Sequence, residues 1–470
     1  MQSGGDRAGS LAWRESGVED LRSEARLLTG PTSRPSRLDE PQPVAPYADG
    51  SVEHARLVDS GRGAPRRTTS VSGPAWALLL LSLALAVGSV ATHPVTTWRG
   101  QADEGCYLRY ATRIAEQGPG AFPALFREYL QDPLGPQYFP SPLRLTPIAL
   151  GALSVLFSGA NFSSLADVSL VAFLALLVLL FMGLRGTLGE RTALAVTLLL
   201  SVSPLHLAMA RRALADSLNA TLVLTCLWLC IHGLTAGKTA PRWWAGVAIA
   251  YAITFLGREL NLVLVPISLA LIGGDVVRRR RPIPLSAICC VSFLPLLGAA
   301  ALAALAAGGV GMAWAAFSAT VVQPAHNVYA LEYGSGPWFR YVVDYLLLSP
   351  WTTLLYLAWL GYLAGARIED ERFWAWALVP ILFLACATPF AKFVRWALPL
   401  DAPLRLGAVL LLQRLVRDRA GNRWATVRLG VIIAGLMWAD LRAFHDLFVV
   451  GDIYDPTSAL LLAGRGFLPR

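Results

Sequence analysis

LTPIALGALSVLF, residues 145–157, decides how this chain is threaded. The segment is apolar enough to enter a bilayer, but it is short and contains Pro147. Its surroundings give the question weight. Of 470 residues, 55% are hydrophobic and only 15% charged, with a mean hydropathy of +0.51. Soluble domains carry about a quarter charged residues. The apolar runs of about 15–25 residues that recur here are those of a polytopic α-helical membrane protein.

Apolar runs near 75–93, 166–184, 190–207, 213–233, 243–256, 260–275, 283–307, 341–365, 373–389, 396–416 and 425–445 read as spans. Basic clusters between spans favour the cytoplasm. Arg66 and Arg67 precede the first run, and four arginines fill 278–281. If 145–157 does not cross, both clusters lie inside, together with Lys238, Arg242, Arg414, Arg417, Arg419 and Arg423. If it crosses, every later cluster moves outside. The segment is therefore read as juxtamembrane or re-entrant. The expected fold is all-α, a bundle of about eleven transmembrane helices, with juxtamembrane helices in a first external loop over 94–165 and an external tail over 446–470.

Residues 1–73, rich in Gly, Ser, Pro and charge, read as a disordered cytoplasmic tail that cannot bury enough surface to offset ordering entropy. Within it, LAWRESGVEDLRSEARLL could form a short amphipathic helix. The first span would be an internal signal-anchor. The net charge of +9 is accounted for by orientation signals and calls for no nucleic acid. The six cysteines show neither zinc spacing nor a disulfide framework, and no metal or other cofactor is expected.

Under this topology the unusual polar residues collect at one face. ADEGCYLRYA, 102–111, follows the first span and places Asp103 and Glu104 ahead of Tyr107. SPLHLAMARRALAD, 203–216, puts Arg211, Arg212 and Asp216 in a break between apolar helices. FLGRELNLV, 255–263, carries Arg258 and Glu259, and PFAKFVRWALPL, 389–400, carries Lys392 and Arg395 three apart, one helix face. Each has a structural reading. The acidic pair suits a helix start, Arg211 and Arg212 can snorkel while Asp216 caps or pairs with one, Arg258–Glu259 can be a local ion pair, and Lys392 and Arg395 can meet anionic headgroups. Taken together, cations at the membrane surface suit a lipid phosphate, and carboxylates beside them suit a general base for an acceptor hydroxyl. That combination points to sugar transfer from a polyprenyl-phosphate sugar.

The order of these pieces resembles the C-type membrane glycosyltransferases (GT-C), in the branch with protein O-mannosyltransferases and the lipid A aminoarabinose transferase. Asp103, Glu104 and Tyr107 match that branch's acidic pair and tyrosine. YFPSPLRLTP, 138–147, beginning at Tyr138, matches its proline-rich patch, and Ser203, Pro204, Arg211 and Asp216 its SP helix and R…D turn. Arg258 and RWALP, 395–399, match two later basic motifs. The likeness runs over about residues 75–416, within a catalytic domain expected over 74–445. The chain departs from the pattern at Cys106, Ser141 and Trp396. The resemblance implies the fold and a lipid-linked donor, with phosphate binding by Arg144, Arg258 and Arg395, supported by Lys392, Arg211 and Arg212.

The expected chemistry is an inverting displacement at the anomeric carbon. Asp103 takes the acceptor's proton, Glu104 orients the acceptor or supports Asp103, and Arg258 and Arg395 stabilise the departing phosphate. Tyr107, Tyr138, Asp216 and Glu259 line the substrate site, with His326 and Tyr333 at the acceptor entrance. The expected location is a bacterial plasma membrane, N-terminus cytoplasmic and site external. Sugar and acceptor stay open, the latter among protein, lipid and glycan. A polymerase or ligase using lipid diphosphate would concentrate its chemistry in a large late loop. A transporter or flippase would show internal repeats and polar residues in broken mid-membrane helices.

Overall fold

The computed structural model describes residues 71–132, 135–238, 240–280, 282–326, 331, 334–365, 374–386, 392–417, 422–453, 455–457, 459 and 460. The expected tail over 1–73 therefore lies almost entirely outside the described residues, as does the amphipathic stretch within it. All regular structure among the described residues is helical. The order is α1 (Gly73–Thr92), α2 (Asp103–Gln117), α3 (Phe122–Gln131), α4 (Leu145–Ser158), α5 (Phe162–Leu188), α6 (Glu190–Ser201), α7 (Pro204–Ala210), α8 (Asp216–Thr235) and α9 (Pro241–Phe255). A 3₁₀ turn, Glu259–Val263, leads into α10 (Leu264–Arg279), followed by α11 (Leu285–Val291), α12 (Phe293–Ala307), α13 (Val310–His326), α14 (Arg340–Leu348), α15 (Pro350–Gly365) and α16 (Trp374–Cys386). A second 3₁₀ turn, Val394–Leu400, opens α17 (Asp401–Arg417), and α18 (Asn422–Ala443) runs into a π-helical turn, Phe444–Val450.

Local chemistry sets these boundaries. Ser72 caps α1 and Asn161 caps α5, each side chain accepting from a first-turn N–H. α5 stops at Gly189, whose φ of +91° a side chain would resist. The expected span over 190–207 is two helices bent by 60°, because Ser203 caps a new helix and Pro204 takes its first position.

Six helices or continuous helical segments are long and apolar enough to cross a membrane, seven if the bent pair is one span. The expected count of about eleven is not reached by this criterion. The run at 341–365 breaks at Ser349–Pro350, and the one at 373–389 is described as helix only over Trp374–Cys386. α4, over the segment that decides the threading, has 14 residues and rises about 21 Å, short of a hydrocarbon core about 30 Å thick. The expected loop at 308–340 contains a helix, α13, and helical structure runs past the expected tail boundary at 446 to Val450.

The bundle centres on α6, which packs on α1, α5, α17 and α18. α8 lies against α5 and α9 and is the most buried span, with 67% of its apolar window inside. α1, at 22%, turns Leu80 and Leu81 outward, as expected where lipid is the solvent. α17 meets α15 at Gly407, where a Cβ would come within 2.5 Å of the Trp359 ring. A buried charge cluster binds the bundle across its core: Arg405 donates to Asp401 at 3.0 Å and to Asp440 at 2.5 Å, while Ser203 donates to Asp401.

Candidate functional site

The site begins at the first turn of α2. Ala102 is extended, and Asp103 and Glu104 open the helix where its dipole favours negative charge. Gly105 has to be a glycine here: a Cβ would fall 1.8 Å from the Gly100 carbonyl oxygen, so the incoming loop lies directly on the helix. Consecutive helical residues point about 100° apart, and the two carboxylates accordingly meet different surroundings. Glu104 is 1% exposed and accepts Arg212 Nε at 2.8 Å, Arg212 Nη2 at 3.0 Å and the Arg99 N–H at 2.8 Å. Asp103 keeps a quarter of its side chain exposed and accepts Arg395 Nη2 at 2.9 Å on Oδ2.

Asp216, the first residue of α8, is buried and receives Arg258 Nη1 at 2.7 Å on one oxygen, with Arg395 Nη1 3.8 Å from the other. Two cations and a helix N-terminus offset the cost of burying that charge. Arg258 lies 5.0 Å over the Trp396 ring, and its buried Nε has no partner among the described residues. Arg144 forks onto Glu259, 3.0 Å at Oε2 and 3.3 Å at Oε1, and donates to the Tyr107 hydroxyl at 2.9 Å. Burial raises the Tyr107 pKa against the opposing pull of Arg144. Arg258 and Glu259 thus face different partners rather than each other, because Arg258 is extended and Glu259 starts the 3₁₀ turn.

Asp103, Arg395, Asp216 and Arg258 form one connected chain of charges, with Tyr107, Arg144 and Glu259 joined to one another alongside. Other expected members stand apart. Arg211 donates to the carbonyls of His93 at 3.0 Å and Phe448 at 2.9 Å, and Arg212 holds Glu104, so both tie α7 to neighbouring loops. Lys392 precedes the 3₁₀ turn rather than sharing a helix face with Arg395, and its ammonium donates to the Gly336 and Pro337 carbonyls at 2.8 and 2.9 Å. Tyr138 closes a short helical turn and His326 ends α13, but both side chains lie outside the described residues, as does Tyr333 altogether. Cys106, buried beneath the acidic turn, has its thiol pushed up to about 11 by desolvation. Among the described residues no three His, Cys, Asp or Glu side chains converge to hold a metal ion.

One cavity borders this chain of charges at Arg258, and a second shares a wall with the first. The smaller, about 60 Å³, is lined by Arg258, Asn219, Asn261, Trp396 and Tyr341. The larger, about 560 Å³, is walled by apolar side chains of α14 to α17, Tyr345, Leu360, Leu384 and Leu404 among them. Tyr341 lines both.

The sequence reading missed the acidic and basic residues behind the site. Asp455 accepts the Val394 N–H and Arg340, and Asp452 lies 3.5 Å from Arg212. The four-residue spacing of Arg340 and Asp344 was the one local signal, since Arg340 and Asp455 stand 115 positions apart.

Residues 146–299 match the family described as Dolichyl-phosphate-mannose-protein mannosyltransferase. No curated protein matches the sequence. In fold, the chain is similar to the Archaeoglobus fulgidus oligosaccharyltransferase tethered with an acceptor peptide containing the NVT sequon, with TM-score 0.53 and 11% identity over 79% of this chain and 54% of that one. The same archaeal oligosaccharyltransferase, AglB, in complex with an inhibitory peptide and a dolichol-phosphate gives TM-score 0.52 and 12% identity, covering 79% and 55%. ArnT from Cupriavidus metallidurans bound to undecaprenyl phosphate gives TM-score 0.48 and 14% identity, covering 83% and 77%. The chain spans about half the length of the oligosaccharyltransferase it matches. The all-helical fold is similar to that of the archaeal oligosaccharyltransferase.

Proposed function

We propose that this chain transfers a monosaccharide from a polyprenyl-phosphate sugar to an acceptor hydroxyl at the outer face of the membrane, with inversion at the anomeric carbon. The observation that carries the reading is Arg395 between the carboxylates of Asp103 and Asp216, with Arg258 on the far side of Asp216. The family matched over 146–299 is described by a dolichyl-phosphate sugar, and a structure of similar fold is in complex with a dolichol-phosphate, which supports the donor class.

In this reading the donor phosphate lies against Arg395 and the unpartnered edge of Arg258, and the polyprenyl chain runs past Tyr341 into the apolar cavity. The acceptor oxygen attacks the anomeric carbon as the bond to the phosphate oxygen breaks. The phosphate leaves with the electron pair and Asp103 takes the hydroxyl proton. The burial of Glu104 and its three accepted hydrogen bonds favour Asp103 as the base and give Glu104 the task of fixing α2. Charge supports the outer location: Arg278 and Arg279 close α10, and the 21-residue segment from Glu259 sets them on the order of 30 Å from the site.

The test is release of free polyprenyl phosphate in liposomes supplied with polyprenyl-phosphate sugars and candidate acceptors. Folded Asp103→Asn should release roughly 10²–10⁴ times more slowly than wild type. Unchanged release would remove Asp103 as the base.

A further inference from the structure

Past the π-helical turn, Asp455 meets the segment that leads into Arg395. Asp455 Oδ2 accepts the Val394 N–H at 2.7 Å, and Oδ1 accepts Arg340 Nη2 at 3.2 Å. The Thr457 hydroxyl donates to Asp344, on the same helix as Arg340. Val394 is fully buried and immediately precedes Arg395. The segment entering this 3₁₀ turn is held a second time, where Lys392 N–H meets the Gly334 carbonyl at 2.6 Å and its ammonium meets those of Gly336 and Pro337. The Arg395 backbone is thus set by contacts with two remote segments, 334–337 and 455, and its guanidinium reaches Asp103 from that fixed base.

Resting on the reading of Arg395 as a donor-phosphate ligand, we infer that Asp455 is a positioning residue, a clasp that holds the 3₁₀ turn carrying Arg395 in the orientation a lipid phosphate needs. The physical argument is one of alternatives. Without the carboxylate, the buried Val394 N–H loses its acceptor and Arg340 loses the counter-charge 3.2 Å away, so the 392–395 segment gains freedom that phosphate binding must then remove. Asp455 touches neither donor nor acceptor in this arrangement. Its effect travels through one backbone N–H, which sequence proximity could not show.

The experiment uses the full-length protein in nanodiscs and compares wild type, Asp455→Ala and Asp455→Asn by two readouts. Backbone amide exchange over 392–398 reports the segment, and undecaprenyl phosphate titration reports the site. Asp455→Ala should exchange faster at Val394 and bind undecaprenyl phosphate about tenfold more weakly, equivalent to 1.4 kcal/mol. Asp455→Asn, whose amide oxygen can still accept the Val394 N–H, should recover most of the protection and much of the affinity. Affinity is read on monodisperse protein, so a loss of folding alone would lower yield and leave Kd unchanged. Unchanged exchange at Val394, or faster exchange with unchanged Kd, overturns the clasp. Wild type that binds no undecaprenyl phosphate overturns the donor reading instead, and exchange at Val394 still decides whether Asp455 holds the segment.

Discussion

Arg395 donates to Asp103 across 2.9 Å although 292 positions separate them, and the same guanidinium lies 3.8 Å from Asp216. While no anion competes, the proposed base and the proposed phosphate ligand occupy each other. A donor phosphate that draws Arg395 toward itself therefore frees Asp103 for the acceptor hydroxyl. Addition should be ordered, donor before acceptor. In initial-rate kinetics the product polyprenyl phosphate should inhibit competitively against donor and noncompetitively against acceptor. Competition with acceptor alone would contradict the order.

Replacing Arg395 by glutamine should leave Asp216 held by Arg258 and the bundle intact, while removing one preorganised phosphate donor. The expected loss is about 3 kcal/mol of transition-state stabilisation, by analogy with oxyanion donors. It should appear as a fall of roughly 10²-fold in kcat with little change in thermal stability.

Glu104→Gln should behave in the opposite way. The buried Arg212 would lose its bidentate partner, and breaking a buried pair costs roughly 3–5 kcal/mol. The expected outcome is a lower melting temperature and poor yield in detergent, with the protein that does fold retaining a larger share of turnover than Asp103→Asn.

Leu404 lines the apolar cavity and is itself buried. Leu404→Trp should fill part of that space and raise KM for a long-chain polyprenyl donor about tenfold, while a donor with a short chain is less affected. Equal effects on both would argue that the chain lies elsewhere.

Cys106 offers a pH test. Burial lifts its thiol from about 9 to about 11, so the folded state favours the neutral form. Its contribution to stability is complete below pH 9 and is lost as pH rises through 11. Maleimide labelling at pH 7–8 should therefore spare Cys106 in folded protein and mark it once the protein is unfolded.

Membrane character, the polar clusters and the start of α2 at Asp103 follow from the sequence, because apolar length, capping and helix dipoles act over a few residues. The break at Ser203–Pro204 was also written there, although a hydropathy window averages across it and reads one span. Pairing was not. Arg258 and Glu259 are neighbours, yet one holds Asp216 and the other holds Arg144, because extended backbone sends adjacent side chains to different sides. Asp103 and Glu104 are likewise indistinguishable as letters. Only the tertiary structure buries Glu104 under Arg212 and leaves Asp103 partly exposed beside Arg395, since a carboxylate's surroundings are made by segments that the bundle, rather than the chain, brings within 3 Å.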